Sequence, residues 1–161
     1  MKKYPYFRQA QVCADGSPTP PPLTNHIRRK VRFEEVDSLH IVWHGRYPSY
    51  LEDGRVAFGE QYGLGYLAMR DAGIVAPIRQ MHLDYVAPIR FGQTCTIETT
   101  LLWDDAAKLV FIYRLLDEGE ALLTTGYTTQ LFLTTEGEMC LGYPDVYQQF
   151  CRKWKKGEFG G

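Results

Sequence analysis

The sequence predicts an α+β domain in which an antiparallel sheet packs around one long helix, and three observations predict it. One amphipathic helical segment stands between about Gly45 and Tyr62. Four β-rich runs follow it. Short turn-forming stretches separate those runs, so they read as successive antiparallel strands. With 161 residues, 45% hydrophobic and 14% aromatic, the chain has the length of one domain and the apolar content for one substantial core.

In chain order, Met1 to about Thr24 is polar and broken. Its Gly16-Ser17-Pro18-Thr19-Pro20-Pro21-Pro22 favours extended, partly polyproline backbone, so residues 1–24 read as an extension or arm. A short strand is expected at about Ile27–Phe33, where Ile27, Val31 and Phe33 share one side. The basic run Arg28-Arg29-Lys30 interrupts that rhythm and reads as a solvated strand face more readily than as a phosphate site.

In the helical segment Tyr47, Leu51, Gly54, Phe58 and Tyr62 recur at steps of three and four, while Glu52, Asp53, Arg55 and Glu60 take other faces. Gly54 and Ala57 suggest close approach to a neighbouring element, and Gly63 and Gly65 supply C-terminal stops. Pro48 biases Tyr47 away from helical dihedrals, which puts the regular helix start at Tyr47 or Pro48.

The β-rich runs are Pro77–Phe91, Thr94–Trp103, Lys108–Leu116 and Ala121–Thr134. Alternation gives inner faces of Met81, Leu83, Tyr85 and Ala87, of Leu109, Phe111, Tyr113 and Leu115, and of Leu123, Tyr127, Leu131 and Leu133. Val146, Phe150 and Trp154 recur at fours in Asp145–Lys156, a C-terminal helix docked on the sheet. The organisation is thus an arm (1–24), a globular domain (25–144) and a C-terminal helix and tail (145–161). An exposed edge strand in such a sheet invites a second subunit.

Eighteen Lys and Arg against nineteen Asp and Glu give a net charge of −1, too little overall field to attract nucleic acid or an anionic membrane. No apolar run approaches the roughly 20 residues that span a bilayer, and no signal-peptide pattern follows the N-terminus. Cys13, Cys95, Cys140 and Cys151 lie far apart without a CxxC pair, which fits reduced thiols in a cytoplasmic protein.

The densest reactive stretch runs from Glu34 to Tyr47, between the first strand and the helix. A helix N-terminus offers unpaired N–H groups and about half a positive charge, so Asp37 and His44 can work together there on a polarised carbonyl. The simpler alternative makes Asp37 a loop or capping aspartate and His44 a hydrogen-bonded histidine. Asp37, His40 and His44 also supply the ligand types of a metal facial triad, but Ile41-Val42 offers no cap for a helix that would bring both histidines to one face. No metal is expected.

The string Asp37-Ser38-Leu39-His40-Ile41-Val42-Trp43-His44-Gly45-Arg46-Tyr47 resembles the D-x-x-G-x-V-x-H-x-x-Y signature of hotdog-fold acyl-CoA thioesterases of the 4-hydroxybenzoyl-CoA thioesterase family. Leu83-Asp84-Tyr85-Val86-Ala87-Pro88 followed by Gly92 is similar to the family's next signature. The resemblance covers about Val31 to Pro144 and departs at His40, where the family usually has glycine. It implies a hotdog fold with about five strands around a central helix. It implies that Asp37 holds the position of the catalytic carboxylate and His44 the neighbouring active-site position. It also implies a homodimer, often paired into a homotetramer, with sites at the subunit interface.

On that basis the expected activity is hydrolysis of an acyl-CoA to free acid and CoA. Asp37 acts as nucleophile or general base, and the backbone N–H of His44 or Gly45 as oxyanion donor. Tyr47, Ile78 and Gln80 are expected to line the substrate site. Lys108 is expected to attract a coenzyme phosphate, ahead of Arg79 and Arg90. Coenzyme A enters as substrate, and no cofactor is required. The competing readings are an acyl-thioester hydratase or dehydratase and a non-catalytic acyl-thioester binding protein.

Overall fold

The computed structural model describes residues 6–160; residues 1–5 of the arm and residue 161 lie outside them. Strand β1 (Leu23–Lys30) leads through a loop to helix α1 (Tyr47–Tyr62) and a short α2 (Tyr66–Asp71). Strands β2 (Ile74–Val75), β3 (Ile78–Tyr85), β4 (Thr94–Leu102), β5 (Lys108–Leu116), β6 (Leu122–Leu131) and β7 (Leu133–Thr134) follow, then α3 (Asp145–Lys155). Five strands form one antiparallel sheet in the order β1-β4-β5-β6-β3, and β2 pairs with β7 apart from it. The expected α+β hotdog architecture is what the chain adopts.

Helix α1 packs on one face of the sheet, against β1 and β4. Tyr50, Leu51 and Phe58 are fully buried against Ile97, Leu101, Phe111 and Tyr113. Burying each such side chain contributes about 1.5–3 kcal/mol, so this stripe holds the helix in place despite its glycines. Close approach at Gly54 is real: a Cβ there would lie 2.2 Å from Thr99 Oγ1. Gly63 ends the helix at φ 75°, a left-handed conformation that glycine adopts without strain.

The first strand runs Leu23–Lys30, earlier than Ile27–Phe33, because Leu23 to Lys30 pairs in continuous register with Leu101 to Thr94; Phe33 belongs to a 3₁₀ turn instead. Gly65 precedes α2 and does not stop α1. Strand β6 departs from its expected inner face. A register irregularity between Leu115 and Leu116 leaves Leu123 in the main core, while Tyr127 turns to the outer face. Thr124, Gly126, Thr128 and Gln130 take the opposite face to Tyr127 by alternation.

Helix α3 closes the sheet at its β4–β5 end, with Trp154 5.3 Å from Trp103 and Tyr147 4.9 Å from Phe132 between ring centres. The loop bearing Asp37 stands at the opposite end, where β1 leaves its Lys30–Thr94 pairing. All four cysteines are free thiols. Among the described residues no helix is long and apolar enough to cross a membrane.

Candidate active site

The segment after β1 folds back on itself at Asp37. The Asp37 N–H donates to Ile41 O at 3.0 Å, the His40 N–H donates to Asp37 O at 3.0 Å, and Val36 bridges Val42. Such a tight reversal closes on a left-handed residue, normally glycine. Here His40 takes that conformation, at φ 59°. Histidine tolerates the left-handed region better than most side chains. One Asp37 carboxylate oxygen, Oδ1, accepts the Leu39 N–H at 2.8 Å, which fixes the half-buried side chain while Oδ2 has no partner among the described residues.

Neighbouring backbone clamps this loop. Trp43 N–H donates to Glu35 O at 2.9 Å, Val42 N–H to Ile89 O at 2.8 Å, and Phe91 N–H to His40 O at 3.1 Å. Beneath it lies Glu35, only 3% exposed. Its carboxylate pairs with Arg29 and accepts the Tyr50 hydroxyl at 2.8 Å and the Arg32 N–H at 2.9 Å. Arg29 also reaches Asp53 at 2.8 Å and lies 3.7 Å from the Tyr50 ring centre. Burial alone would raise the Glu35 pKa; the Arg32 N–H, the Tyr50 hydroxyl and Arg29 outweigh it and hold the carboxyl below its ordinary value. The basic run is therefore split: Arg28 and Lys30 are exposed, whereas Arg29 anchors the loop from below. Sequence reasoning missed Glu35 and Arg29, and the available signal was a glutamate three residues after Arg32 at a turn.

At the helix start, His44 to Arg46 forms a 3₁₀ turn that runs into α1. The N–H groups of His44 and Gly45 open that turn and have no acceptor within it. The Trp43 ring packs so tightly over Gly45 that a Cβ there would lie 2.2 Å from it, so only glycine leaves both the ring and the backbone in place. The exposed His44 side chain lies beside Trp43, and its carbonyl accepts the Tyr85 hydroxyl at 3.1 Å. Asp37 and the first turn are thus both tied to the segment around β3 and the loop that follows it.

Tyr47 is a core residue of this chain. It is 2% exposed, packed edge-on against Tyr85 at 4.7 Å, and burial raises its hydroxyl pKa. It supports the helix start from inside the core, beneath Tyr85. Ile78 and Gln80 lie on the exposed edge strand β3, with Gln80 Oε1 accepting the Thr129 hydroxyl at 3.2 Å. Lys108 begins β5 beside the hairpin at the far end of the sheet from Asp37, and it pairs with Asp104 at 3.2 Å. Within one chain the structure does not bring Ile78, Gln80 or Lys108 to Asp37.

Arg55, expected on a solvent face, is 8% exposed and points inward. Its Nε donates to the Tyr66 hydroxyl at 2.8 Å and its Nη1 to the Tyr113 hydroxyl at 3.1 Å, and no carboxylate pairs with it among the described residues. The Asp37 loop and the segments bonded to it carry exposed apolar side chains, Leu39, Trp43 and Phe91 among them, with Phe33 packed edge-on against Phe91 at 5.8 Å.

One five-stranded antiparallel sheet carrying one long helix, with the Asp37 loop leading into the helix start, is the hotdog architecture of a class of thioesterases. Residues 31–150 match the thioesterase-like superfamily, and the chain belongs to it. A Bacillus subtilis protein provisionally named acyl-CoA thioesterase YneP is 29% identical over 93 residues, 56% of this chain and 67% of that protein. A hypothetical protein of Thermus thermophilus superposes with a TM-score of 0.73 at 31% identity, over 82% of this chain and 98% of that one. A 4-hydroxybenzoyl-CoA thioesterase mutant, complexed with 4-hydroxybenzoyl-CoA, shares the fold at a TM-score of 0.69 and 20% identity, over 80% and 98% of the two chains. Thioester hydrolysis is the family's chemistry, and at that level this chain is a thioester hydrolase.

Proposed function

We propose that this chain hydrolyses acyl-CoA thioesters with the Asp37 carboxylate as nucleophile or general base. The observation that supports the reading is a carboxylate held by one oxygen, on a loop that leads directly into a helix start whose first N–H groups have no acceptor. The thioester carbonyl lies at that first turn, and the N–H of His44 or Gly45 stabilises the developing oxyanion. In the general-base route Asp37 takes a proton from water as the water oxygen adds to the carbonyl carbon, and the C–S bond then breaks; in the nucleophilic route an Asp37 oxygen adds, the C–S bond breaks to leave an acyl-aspartyl anhydride, and water then cleaves the anhydride to restore the carboxylate. In both the departing thiolate takes up a proton, leaving free acid and CoA. The His44 ring sits where it can orient the thioester or help protonate the sulfur.

The site is shared between two subunits. Strand β3 is an exposed edge that carries Ile78, Met81 and Tyr85, so antiparallel pairing of two β3 strands about a two-fold axis extends the sheet. That pairing reverses direction, so Ile78 and Gln80 of one chain lie toward the Asp37 end of the other and line its acyl group. Lys108 attracts a coenzyme phosphate from the same end of the partner. Thiol release from a panel of acyl-CoAs tests the activity: stoichiometric free acid and CoA are expected, whereas hydration of an enoyl-CoA or binding without thiol release would assign one of the competing functions.

A further inference from the structure

Helix α1 covers β1 and β4, so the inner faces of β6 and β3 form a strip beside the helix. Register places Thr124 opposite Tyr85 at the helix start, where the Tyr85 hydroxyl donates to His44 O, then Thr128 opposite Met81, then Gln130 opposite Ile78. Arg55 reaches into this strip from α1. Its Nη1 donates to the Tyr113 hydroxyl at 3.1 Å, and that hydroxyl meets Thr128 Oγ1 at 2.7 Å. Its Nε donates to the Tyr66 hydroxyl at 2.8 Å, and its Nη2 has no partner among the described residues. Arg55, Tyr66 and Gln130 line one narrow cleft with Leu64, Met69 and Phe111. Met81, opposite Thr128, is exposed, so the strip opens at β3.

Two phenols and a threonine hydroxyl satisfy hydrogen bonds here but carry no charge. A buried cation is stabilised when an opposite charge lies against it, and among the described residues no carboxylate does so for Arg55. Its remaining N–H donors have the planar fork that fits a carboxylate. Arg55 stands ten residues beyond Gly45, roughly 15 Å along the helix, and a helical side chain leans back toward the N-terminus. Its head therefore lies within reach of a group that starts at the first turn of α1 and runs along the helix. Gln130 adds a second polar group to the cleft: its Nε2 donates to Ala76 O, while Oε1 is buried without a donor among the described residues.

We infer that Arg55 is a specificity-determining residue that binds a carboxylate at the far end of the acyl group, so that the chain selects acyl-CoAs of dicarboxylic acids. The inference rests on the thioesterase reading for the path of the substrate: with the thioester carbonyl at His44 and Gly45, the acyl chain lies along α1 beside β6 and β3. Its distal carboxylate takes the Nη2 N–H groups and neutralises the buried guanidinium. A neutral acyl chain of the same length brings methylene and methyl groups to a cation that stays uncompensated, so the selection works against the wrong substrate as well as for the right one. A distal hydroxyl is the closest competitor, because it can accept from Arg55 and donate to Gln130 Oε1, but it leaves the charge unpaired.

The test compares hydrolysis of hexanedioyl-, octanedioyl- and decanedioyl-CoA with that of the neutral acyl-CoA and the ω-hydroxyacyl-CoA of the same carbon number. In the wild type, kcat/KM for the preferred dicarboxylic substrate should exceed both by about ten- to 100-fold, the range of a hydrogen bond to a charged group. Arg55→Met should abolish that ratio, and Arg55→Lys, which keeps the charge, should preserve its direction. A wild-type ratio near one, a preference for the hydroxyacyl-CoA, or a ratio that survives in Arg55→Met overturns the inference while hydrolysis itself stands. If no acyl-CoA is hydrolysed, the thioesterase reading fails separately, and binding decides the site: octanedioate should raise the melting temperature of the wild type where octanoate does not, and equal shifts or none overturn it. The same pair of acids on the wild type decides if Arg55→Met does not fold.

Discussion

The two edges of the sheet are built differently. Strand β1 carries Arg28 and Lys30 exposed, with Arg29 turned in to Glu35, so its outward charge opposes the approach of another strand. Strand β3 presents Ile78, Met81 and Tyr85, with exposed Val86 following them in the chain. One edge is closed by charge, and the other is left open beside the site. In the proposed function a single chain holds the carboxylate and the helix start, and the walls of the acyl pocket come from the chain that pairs with β3.

Charging the open edge should have the largest effect. Met81→Lys buries a cation in the β3 pairing, so the assembly mass should halve and thioester hydrolysis fall by about 100-fold or more; Arg28→Thr on β1 should change neither. Retained mass and rate in the Met81 variant would place the association elsewhere.

The support beneath the loop comes next. Glu35→Gln breaks a buried ion pair and should cost about 3 kcal/mol in urea unfolding. Because the Glu35 carboxyl titrates below its ordinary 4.5 when folded, it stabilises the chain above that pH and its contribution is lost as pH falls toward the folded value. The wild type should therefore lose stability more steeply than the variant below about pH 4.5, and parallel acid limbs would exclude the linkage.

A smaller effect is expected at the far hairpin. Lys108→Ala should raise KM for acyl-CoA several-fold and leave kcat nearly unchanged, with little effect on a truncated thioester that lacks the nucleotide. Equal losses on both substrates would remove Lys108 from phosphate binding. The smallest is at the turn: His40→Gly relieves the left-handed side chain and should stabilise by no more than about 1 kcal/mol while hydrolysis persists. A large loss of activity there would give the imidazole a part in the chemistry.

The elements that the sequence made legible are those whose cause is local. Apolar residues at steps of three and four defined α1 from Tyr47 to Tyr62, and alternation defined β5 from Lys108 to Leu116. The stretch around Asp37 stood out because its reactive groups are contiguous in the chain. What escaped depends on distant partners. Arg55 reads as a solvent-facing charge until Tyr66 and Tyr113 close on it, and Glu35 is unremarkable until Arg29 and Tyr50 reach it. The packing of Tyr85 over Tyr47 likewise joins residues far apart in the chain. The arm read as an unattached extension because its aromatic contacts lie on strands about 75 to 120 residues away in the chain.

The most direct test of the account is thiol release by Asp37→Asn. Asparagine keeps the shape and can still accept the Leu39 N–H, so the loop should fold and the melting temperature should stay close to that of the wild type. Without an anionic oxygen, hydrolysis of the best acyl-CoA should fall by at least about 100-fold, the lower end of an acid–base contribution. A folded, pure Asp37→Asn protein that turns over at the wild-type rate would contradict the assignment of Asp37 as the catalytic carboxylate.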